Sequence, residues 1–181
     1  MTKQFDGRFD KQGVANGSDI MPRRRVYIES GAVYELGFRA KRGLPFVPND
    51  LMNFMIKCVV ARVQRDFKVT ICHHIWNGSH CHLVVVSKDA KQLVYFLMEI
   101  KKKLTEILKR LLGVRRMNIW EEGGSSIIRV LDDSSVKERI AYLFANPAQD
   151  GLVDRIELFP GVSSWVELNE MKGSLDGESS Q

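Results

Sequence analysis

Residues 77–86, Asn-Gly-Ser-His-Cys-His-Leu-Val-Val-Val, place two histidines, His80 and His82, immediately before four apolar residues. Successive side chains of a β-strand alternate between its faces, so the two imidazoles project to one side and Cys81 projects to the other. Two imidazoles on one face can bind a single divalent ion. A His-x-His triplet is also short enough to fall by chance on the polar face of an edge strand, so this motif alone leaves both interpretations open.

A second segment, residues 139–153, places a phenol and an amide on one face of a predicted helix. If a helix that begins near Ser134 continues to Asn146, then Tyr142 and Asn146 stand one turn apart. Tyr142 offers a nucleophile, and Asn146 offers a ligand oxygen. The structural alternatives are a packing aromatic at Tyr142 and a helix end at Asn146 before Pro147.

Positive charge is concentrated in short clusters. The chain has 27 Lys and Arg against 22 Asp and Glu, a net charge of +5. This balance favours a polyanionic partner, although a solvated helix face with a basic tail would give the same composition. The residues that we expect to contact nucleic acid are Arg23, Arg24, Arg25, Lys101, Lys102, Lys103, Arg115 and Arg116.

Composition also limits the class of protein. No run of 18 apolar residues is present, and the first 19 residues are polar, so we expect neither a membrane span nor a secretory signal and predict a cytoplasmic protein. The three cysteines are not spaced as Cys-x-x-Cys and are expected to be reduced thiols. With 181 residues, 44% of them hydrophobic, the chain fits one domain. We predict a disordered leader at residues 1–20, a domain at 21–166 and a flexible tail at 167–181.

Hydrophobic periodicity and turn signals predict the elements that position these side chains. They are one long or two short strands within 26–39, a helix capped by Asn49 that runs through Arg65, a strand at 67–76, a hairpin turn at Asn77-Gly78, a returning strand at 80–86, a helix from Asp89 to Gly113, a strand at 126–131, and a helix capped by Asp133 or Ser134 that stops near Pro147. This order predicts an α+β fold, a ferredoxin-like split βαβ antiparallel sheet with helices on one face and an added C-terminal helix that carries the tyrosine.

The motifs together resemble a known family. His80-Cys81-His82 matches the His-hydrophobic-His pattern of the HUH nucleases, and Tyr142-x-x-x-Asn146-Pro147 followed by Gly-Leu-Val resembles the tyrosine helix of the REP-associated tyrosine transposases, a branch of the single-tyrosine HUH transposases. Further matches within residues 21–165 are Met-Pro-Arg-Arg-Arg at 21–25, Asn118-Ile119-Trp120, Phe159-Pro160 and Ser163-Ser164-Trp165.

The resemblance implies a ferredoxin-like fold and cleavage of single-stranded DNA. It assigns the nucleophile to Tyr142, two metal ligands to His80 and His82, and a third ligand to Asn146. The implied partner is single-stranded DNA with a REP-like hairpin, bound by a monomer or homodimer that has no membrane association. Imidazole with amide oxygen suits Mg²⁺ or Mn²⁺.

Attack by Tyr142 would leave a covalent phosphotyrosine and a free 3′-hydroxyl, which can reverse the step and join strands, as a transposase requires. Two other classes stay open on the sequence alone. One is a catalytically inactive nucleic-acid-binding module in which the histidines and Tyr142 are structural. The other is a metal-dependent hydrolase in which water attacks and Tyr142 only packs. His73 would reach the same face if the hairpin loop has two residues, with a packed strand histidine as its alternative role.

Overall fold

The structure is a computed structural model that describes residues 29–41 and 46–170. The predicted leader, the predicted contacts of Arg23, Arg24 and Arg25 and the chain beyond residue 170 lie outside these ranges. The elements in chain order are β1 Val33–Ala40, α1 Asp50–Phe67, β2 Thr70–Trp76, β3 His80–Val86, α2 Ala90–Leu111, β4 Trp120–Val130 and α3 Asp133–Gln149, followed by a 3-10 turn at Ile156–Leu158.

The four strands form one sheet in the order β2-β3-β1-β4, and each neighbouring pair is antiparallel. Helix α1 connects β1 to β2, and α2 connects β3 to β4. In each case the two connected strands flank a third strand, which is the split βαβ arrangement. The predicted ferredoxin-like α+β fold is confirmed.

The two faces of the sheet carry different packing. On one face, side chains of β1 and β3 such as Leu36 and Leu83 pack with α1 and α2 in the main hydrophobic core. On the other face, Ile75 and Val84 pack against Leu143 and Phe144 of α3 in a second, smaller cluster. Because strand side chains alternate, this second face is also the one to which His80 and His82 project. Burial of its apolar residues therefore places α3 over the histidine pair.

The helices begin where short polar side chains cap them. Asn49 accepts a hydrogen bond from the backbone N–H of Met52 at 2.9 Å, and Asp89 accepts one from Gln92 at 2.8 Å, as the sequence predicts. Helix α3 is capped by Asp132, which accepts from the backbone of Ser135 at 2.8 Å. The predicted cap at Asp133 or Ser134 is therefore wrong by one or two residues.

Helix α3 does not stop at Pro147. It continues to Gln149, and the backbone N–H of Asp150 donates to the carbonyl oxygen of Asn146 at 2.9 Å. A proline in the last helical turn removes one N–H donor but leaves the following bonds intact, so the predicted end near Pro147 is too early. The continuation brings Asp150 to the position one turn after Asn146.

Strand β4 is longer than its sequence indicates. The prediction covered residues 126–131, whereas the structure has a strand at Trp120–Val130. Residues 121–126, Glu-Glu-Gly-Gly-Ser-Ser, have low strand propensity, but Ser125 and Ser126 pair with β1, as does Trp120 before the segment. Gly123 has a φ of 72°, and the register shifts between Phe38 and Ala40, so this end of the ladder is irregular.

Two other boundaries differ modestly. Helix α1 extends to Phe67, beyond the predicted Arg65, and β2 consequently begins at Thr70. Residues 165–170 are helical, and Leu168 packs against the second cluster. Within the described ranges, no helix is both long enough and apolar enough to cross a membrane.

Candidate active site

The structure brings together the four side chains that the sequence singles out for chemistry. The rings of His80 and His82 lie side by side on β3, with centroids 5.4 Å apart. The ring of Tyr142 lies 6.1 Å from that of His82, and Asn146 Oδ1 lies 3.1 Å from His80 Nε2. A nucleophile, two imidazoles and an amide therefore share one face of the sheet beneath α3.

Gly37 of β1 lies between His82 of β3 and Ser126 of β4 in the sheet. The two residues are paired in the ladder, and a Cβ atom at Gly37 would lie 3.7 Å from ring atoms of His82 and 2.7 Å from Oγ of Ser126. The second distance is too short without a shift of the serine side chain. A residue larger than glycine at this position therefore requires the Ser126 side chain to move.

Glu35, which the sequence analysis missed, holds His82. Its side chain is buried, with Oε1 2.9 Å from His82 Nδ1 and Oε2 3.3 Å from Nη1 of Arg139 on α3. The hydrogen bond with His82 lowers the pKa of Glu35, helped by the charges of His82 and Arg139 and opposed by burial. An Nδ1–H that donates to a carboxylate leaves the Nε2 lone pair for a metal ion. A carboxylate between the hydrophobic residues Tyr34 and Leu36 is the sequence signal that could have revealed it.

Asn77 and Asp150, which were also missed, complete the surroundings of His80. Asn77 Nδ2 lies 3.1 Å from Asp150 Oδ2 and 3.3 Å from Asn146 Oδ1. The same nitrogen is 3.2 Å from His80 Nε2, and His80 Nε2 is 3.6 Å from Asp150 Oδ2. The sequence predicts Asn77 only as a turn residue, yet its side chain is buried in the site.

Burial shifts His80 toward its neutral form. Burial lowers its pKa from the ordinary 6.5, with the charges of His82 and Arg39 acting in the same direction, while Asn146 and Asp150 oppose the shift. A lowered pKa favours the neutral imidazole, in which one of the two ring nitrogens offers the lone pair that a metal ligand requires. Nδ1 lies 3.3 Å from Ser79 Oγ, which can accept an N–H there and leave Nε2 as the ligand atom.

The Tyr142 side chain is reachable from outside the molecule. It is 44% exposed, whereas its neighbours Leu143 and Phe144 are buried in the second cluster. The helix is thus anchored by two residues beside the phenol, and the phenol itself can meet a macromolecular substrate. The predicted nucleophile is therefore both exposed and carried by a packed helix.

Of the predicted basic contacts within the described residues, the three lysines do not lie on this face. Lys101, Lys102 and Lys103 belong to α2, on the opposite side of the sheet. Lys101 donates to Ser125 Oγ at 2.7 Å and lies over the Trp120 ring. Lys102 and Lys103 form ion pairs with acidic residues of α2, and Arg115 and Arg116 are exposed between α2 and β4. Their role in DNA binding stays a prediction.

Arg39 is the cation that the structure does place near the histidines. It pairs with His80 in the β1–β3 ladder and is exposed, and its charge acts on the His80 ring. It forms no ion pair with any residue in the described ranges. Its guanidinium group is therefore available to a phosphate at this edge of the site.

His73 lies on the same face but packs instead of joining the site. The hairpin loop has two residues, Gly78 and Ser79, and Asn77 N donates to His80 O at 2.8 Å. The His73 ring is edge-on to Phe144 at 5.7 Å, and its Nδ1 is 3.3 Å from Ser164 Oγ. His73 is therefore a packed strand histidine, which was the alternative role.

The donor chemistry of the site fits a divalent cation. No three side chains drawn only from His, Cys, Asp and Glu surround one point in the part of the chain that the structure describes. A site here must therefore include an amide, and Asn146 provides one beside His80. Asn77 Oδ1 and Asn146 Nδ2 are buried without a hydrogen-bond partner among the described residues. Imidazole nitrogen together with an amide oxygen can bind a divalent cation.

Comparison with solved structures finds a chain with the same architecture. It is described as "Structure of the REP associates tyrosine transposase bound to a REP hairpin", with a TM-score of 0.67. The two chains share a fold. Their sequences are 19% identical, and the match covers 82% of this chain and 84% of the other. No family model and no curated protein matches this chain.

Proposed function

We propose that this protein is a metal-dependent nuclease and strand transferase that cuts single-stranded DNA through Tyr142. The observation that supports it most is the grouping of Tyr142, His80, His82 and Asn146 on one face of the sheet. The fold supports it independently, because the similar solved chain is a tyrosine transposase. All four side chains belong to one chain, so the proposed site needs no second subunit to complete it.

The Tyr142 hydroxyl oxygen attacks the scissile phosphorus, and the bond from phosphorus to the 3′-oxygen breaks. The phenol proton is balanced by the proton gained on the leaving 3′-oxygen, so the step needs no other reactant. The product is a 5′-phosphotyrosine with a free 3′-hydroxyl. Because the covalent link keeps the energy of the phosphodiester bond, a 3′-hydroxyl of another strand can attack it and join DNA.

His80, His82 and Asn146 would hold Mg²⁺ or Mn²⁺, and when bound the ion neutralises phosphate charge that otherwise repels a nucleophile. Other residues orient these ligands, hold them in place or contact the DNA. Glu35 orients the His82 ring through Nδ1. Helix α3 carries both Asn146 and Tyr142, one turn apart, so ligand and nucleophile keep a fixed separation. Arg39 offers a cation to the phosphate backbone next to His80.

The proposed substrate is a single strand that carries a hairpin like those of repeated extragenic palindromes. This part of the proposal rests on the motif resemblance and on the similar solved chain, which is bound to a REP hairpin. The net charge of +5 supports a nucleic-acid partner in general.

A nicking assay on a library of hairpins flanked by single strands tests the proposal. With the 3′ end of the DNA labelled and Mn²⁺ present, the wild-type protein should give a labelled protein adduct that survives denaturation. EDTA or His82→Ala should abolish it, whereas His73→Ala, which changes a histidine outside the site, should retain it. Circular dichroism verifies that both variants fold. Hairpin binding without an adduct would indicate a non-cleaving binding module, and cleavage without an adduct would indicate a hydrolase; either result would overturn the proposal.

A further inference from the structure

The sheet face that carries the histidines is divided between a packed half and an open half. Helix α3 packs over Ile75 of β2 and Val84 of β3. The other half of the face belongs to β1 and β4, where Ser126 and Ile128 are exposed, Ile128 to 39%. Together with exposed Arg39 of β1 they form an open strip beside the proposed active site, the β1–β4 surface.

The register of the sheet shows that Ser126 and Ile128 project to the same side as the proposed ligands. Residues opposite each other in an antiparallel ladder project to one face. Gly37 is opposite both His82 and Ser126, and Glu35 is opposite Ile128. A Cβ atom at Gly37 would lie 2.7 Å from Ser126 Oγ and 3.7 Å from the His82 ring. The exposed residues of β4 therefore lie next to the His82 ring, across Gly37.

Helix α3 borders the β1–β4 surface with the side that carries the proposed nucleophile. Arg139 and Tyr142 are three residues apart and share one side of the helix. Arg139 reaches β1, with Nη1 3.3 Å from Oε2 of Glu35, and the Tyr142 ring lies 6.1 Å from that of His82. Both side chains are partly exposed, Arg139 to 42% and Tyr142 to 44%. A strand of DNA on the β1–β4 surface would therefore pass beside Tyr142.

The cations at this surface complement a phosphate backbone. Arg39 and Glu35 project to the same face, because four strand residues separate them, a distance of roughly 13 Å. Glu35 is buried and paired with Arg139, so its carboxylate is not presented to a ligand. A guanidinium has five N–H donors, so Arg139 can contact a phosphate while it stays paired. The acidic Glu121 and Glu122 precede the paired residues Ser125 and Ser126 of β4, so the surface ends before them.

We propose that the β1–β4 surface binds the single-stranded DNA that leads to the phosphodiester at Tyr142. The inference rests on the proposed function and deepens it, because it names the path of the substrate. Arg39 and Arg139 contact phosphates, and Ile128 offers an apolar contact to a base. Phosphate and apolar contacts do not read base edges, so this surface accepts single strands of different sequence.

Binding of a single-stranded oligothymidylate, measured by fluorescence anisotropy in EDTA, tests the proposal without metal and without cleavage. Ile128→Glu brings a negative charge to the DNA backbone and removes the apolar contact, so affinity should fall about 10-fold or more. The matched control is Val166→Glu, which makes the same kind of change at an exposed residue of the helical segment 165–170. It should bind as the wild type does. Equal affinities for the two variants, or no binding by the wild type, would overturn the proposal.

Two further variants test the surface at other points. Ser126→Asp replaces Ile128→Glu if circular dichroism finds the latter unfolded, because Ser126 is already exposed and polar. It should weaken binding in the same way, and unchanged affinity in the folded variant would contradict the proposal. Arg39→Gln should lower the slope of log affinity against log salt by about 0.7, for one lost phosphate contact on a single strand. An unchanged slope would exclude Arg39 from the path.

The adduct assay separates failure of this inference from failure of the proposed function. If the wild-type protein forms the Tyr142 adduct but Ile128→Glu binds oligothymidylate as the wild type does, only the path of the strand is wrong. If the wild-type protein forms no adduct while Ile128→Glu weakens binding and Val166→Glu does not, the surface binds single strands and the cleavage function is wrong.

Discussion

The phenol ring of Tyr142 lies edge-on to the imidazole of His82, with ring centroids 6.1 Å apart and ring planes at 88°. The contact joins α3 to β3 and results from the packing of Leu143 and Phe144 against Ile75 and Val84. Apolar burial thus sets the distance between the proposed nucleophile and the proposed ligands. The polar contacts of Glu35, Asn77 and Asp150 then fix how each ring or amide faces its neighbours.

Replacing Glu35 should change which nitrogen of His82 carries the proton. In Glu35→Leu, Nδ1 loses the acceptor 2.9 Å away, so the metal-free protein should contain a mixture of His82 tautomers. Mn²⁺ affinity should fall about 10-fold or more, as for other residues that orient a metal ligand. Nitrogen-15 NMR of the imidazole reports the tautomer directly, and Glu138→Leu on the exposed side of α3 is the control. A single unchanged tautomer in Glu35→Leu would show that the carboxylate does not orient His82.

Arg39 and the lysines of α2 should affect different steps. Arg39→Gln should lower the single-turnover cleavage rate at saturating DNA, because Arg39 lies next to His80. Lys102→Gln with Lys103→Gln should leave that rate unchanged. If both lysines contact phosphates, this double variant should reduce the slope of log affinity against log salt by about 1.4, roughly 0.7 per contact on a single strand. An unchanged slope would mean that these lysines only pair with Glu99 and Glu106 on α2.

His74 should make the protein less stable as the solution is acidified. Burial lowers its pKa from 6.5 to about 4, so between these values the unfolded state binds more protons than the folded state. Stability from this residue is complete above pH 6.5 and falls as the pH drops toward 4. Almost all of the loss between pH 7 and pH 5 accrues below pH 6.5. At about 1.36 kcal/mol per pH unit, it should amount to about 2 kcal/mol. Urea unfolding at both pH values measures it.

His74→Leu isolates that contribution, because the variant has no imidazole to protonate. Between pH 7 and pH 5, its free energy of unfolding should fall by about 2 kcal/mol less than that of the wild type. His73 and His80 also have lowered pKa values, but the wild type and His74→Leu both retain these two histidines. Glu35, whose pKa lies below its ordinary 4.5, is likewise present in both proteins, so its contribution cancels in the comparison. Equal pH dependence in the two proteins would place the effect at another residue.

The parts of the fold that the sequence predicts are those with strong local signals. Helix α2 has an apolar stripe and a capping Asp89, and β3 is a short apolar run after a turn, so both were predicted nearly to the residue. The first half of β4 has no such signal, because its residues have low strand propensity and it joins β1 only through Trp120, Ser125 and Ser126. The end of α3 beyond Pro147 likewise depends on bonds made after the proline.

The candidate site divides in the same way. His80 and His82 are close in sequence, as are Tyr142 and Asn146, so strand alternation and the helical turn bring each pair to one face. Glu35 meets His82 across 47 residues of chain, and Asn77 meets Asp150 across 73. These contacts depend on strand register and on how α3 docks, which no local pattern encodes.

The covalent adduct on Tyr142 tests the central claim most directly. Tyr142→Phe removes one oxygen and keeps the edge-on contact with His82, so the variant should fold, bind Mn²⁺ and bind hairpin DNA while forming no adduct. Tyr95→Phe is the matched control, because Tyr95 and Tyr142 are both 44% exposed. Mass spectrometry of the wild-type adduct made with a 3′-labelled hairpin strand and Mn²⁺ should find the nucleotide on the peptide that contains Tyr142. An adduct on another residue, or one that persists in Tyr142→Phe, would contradict the account.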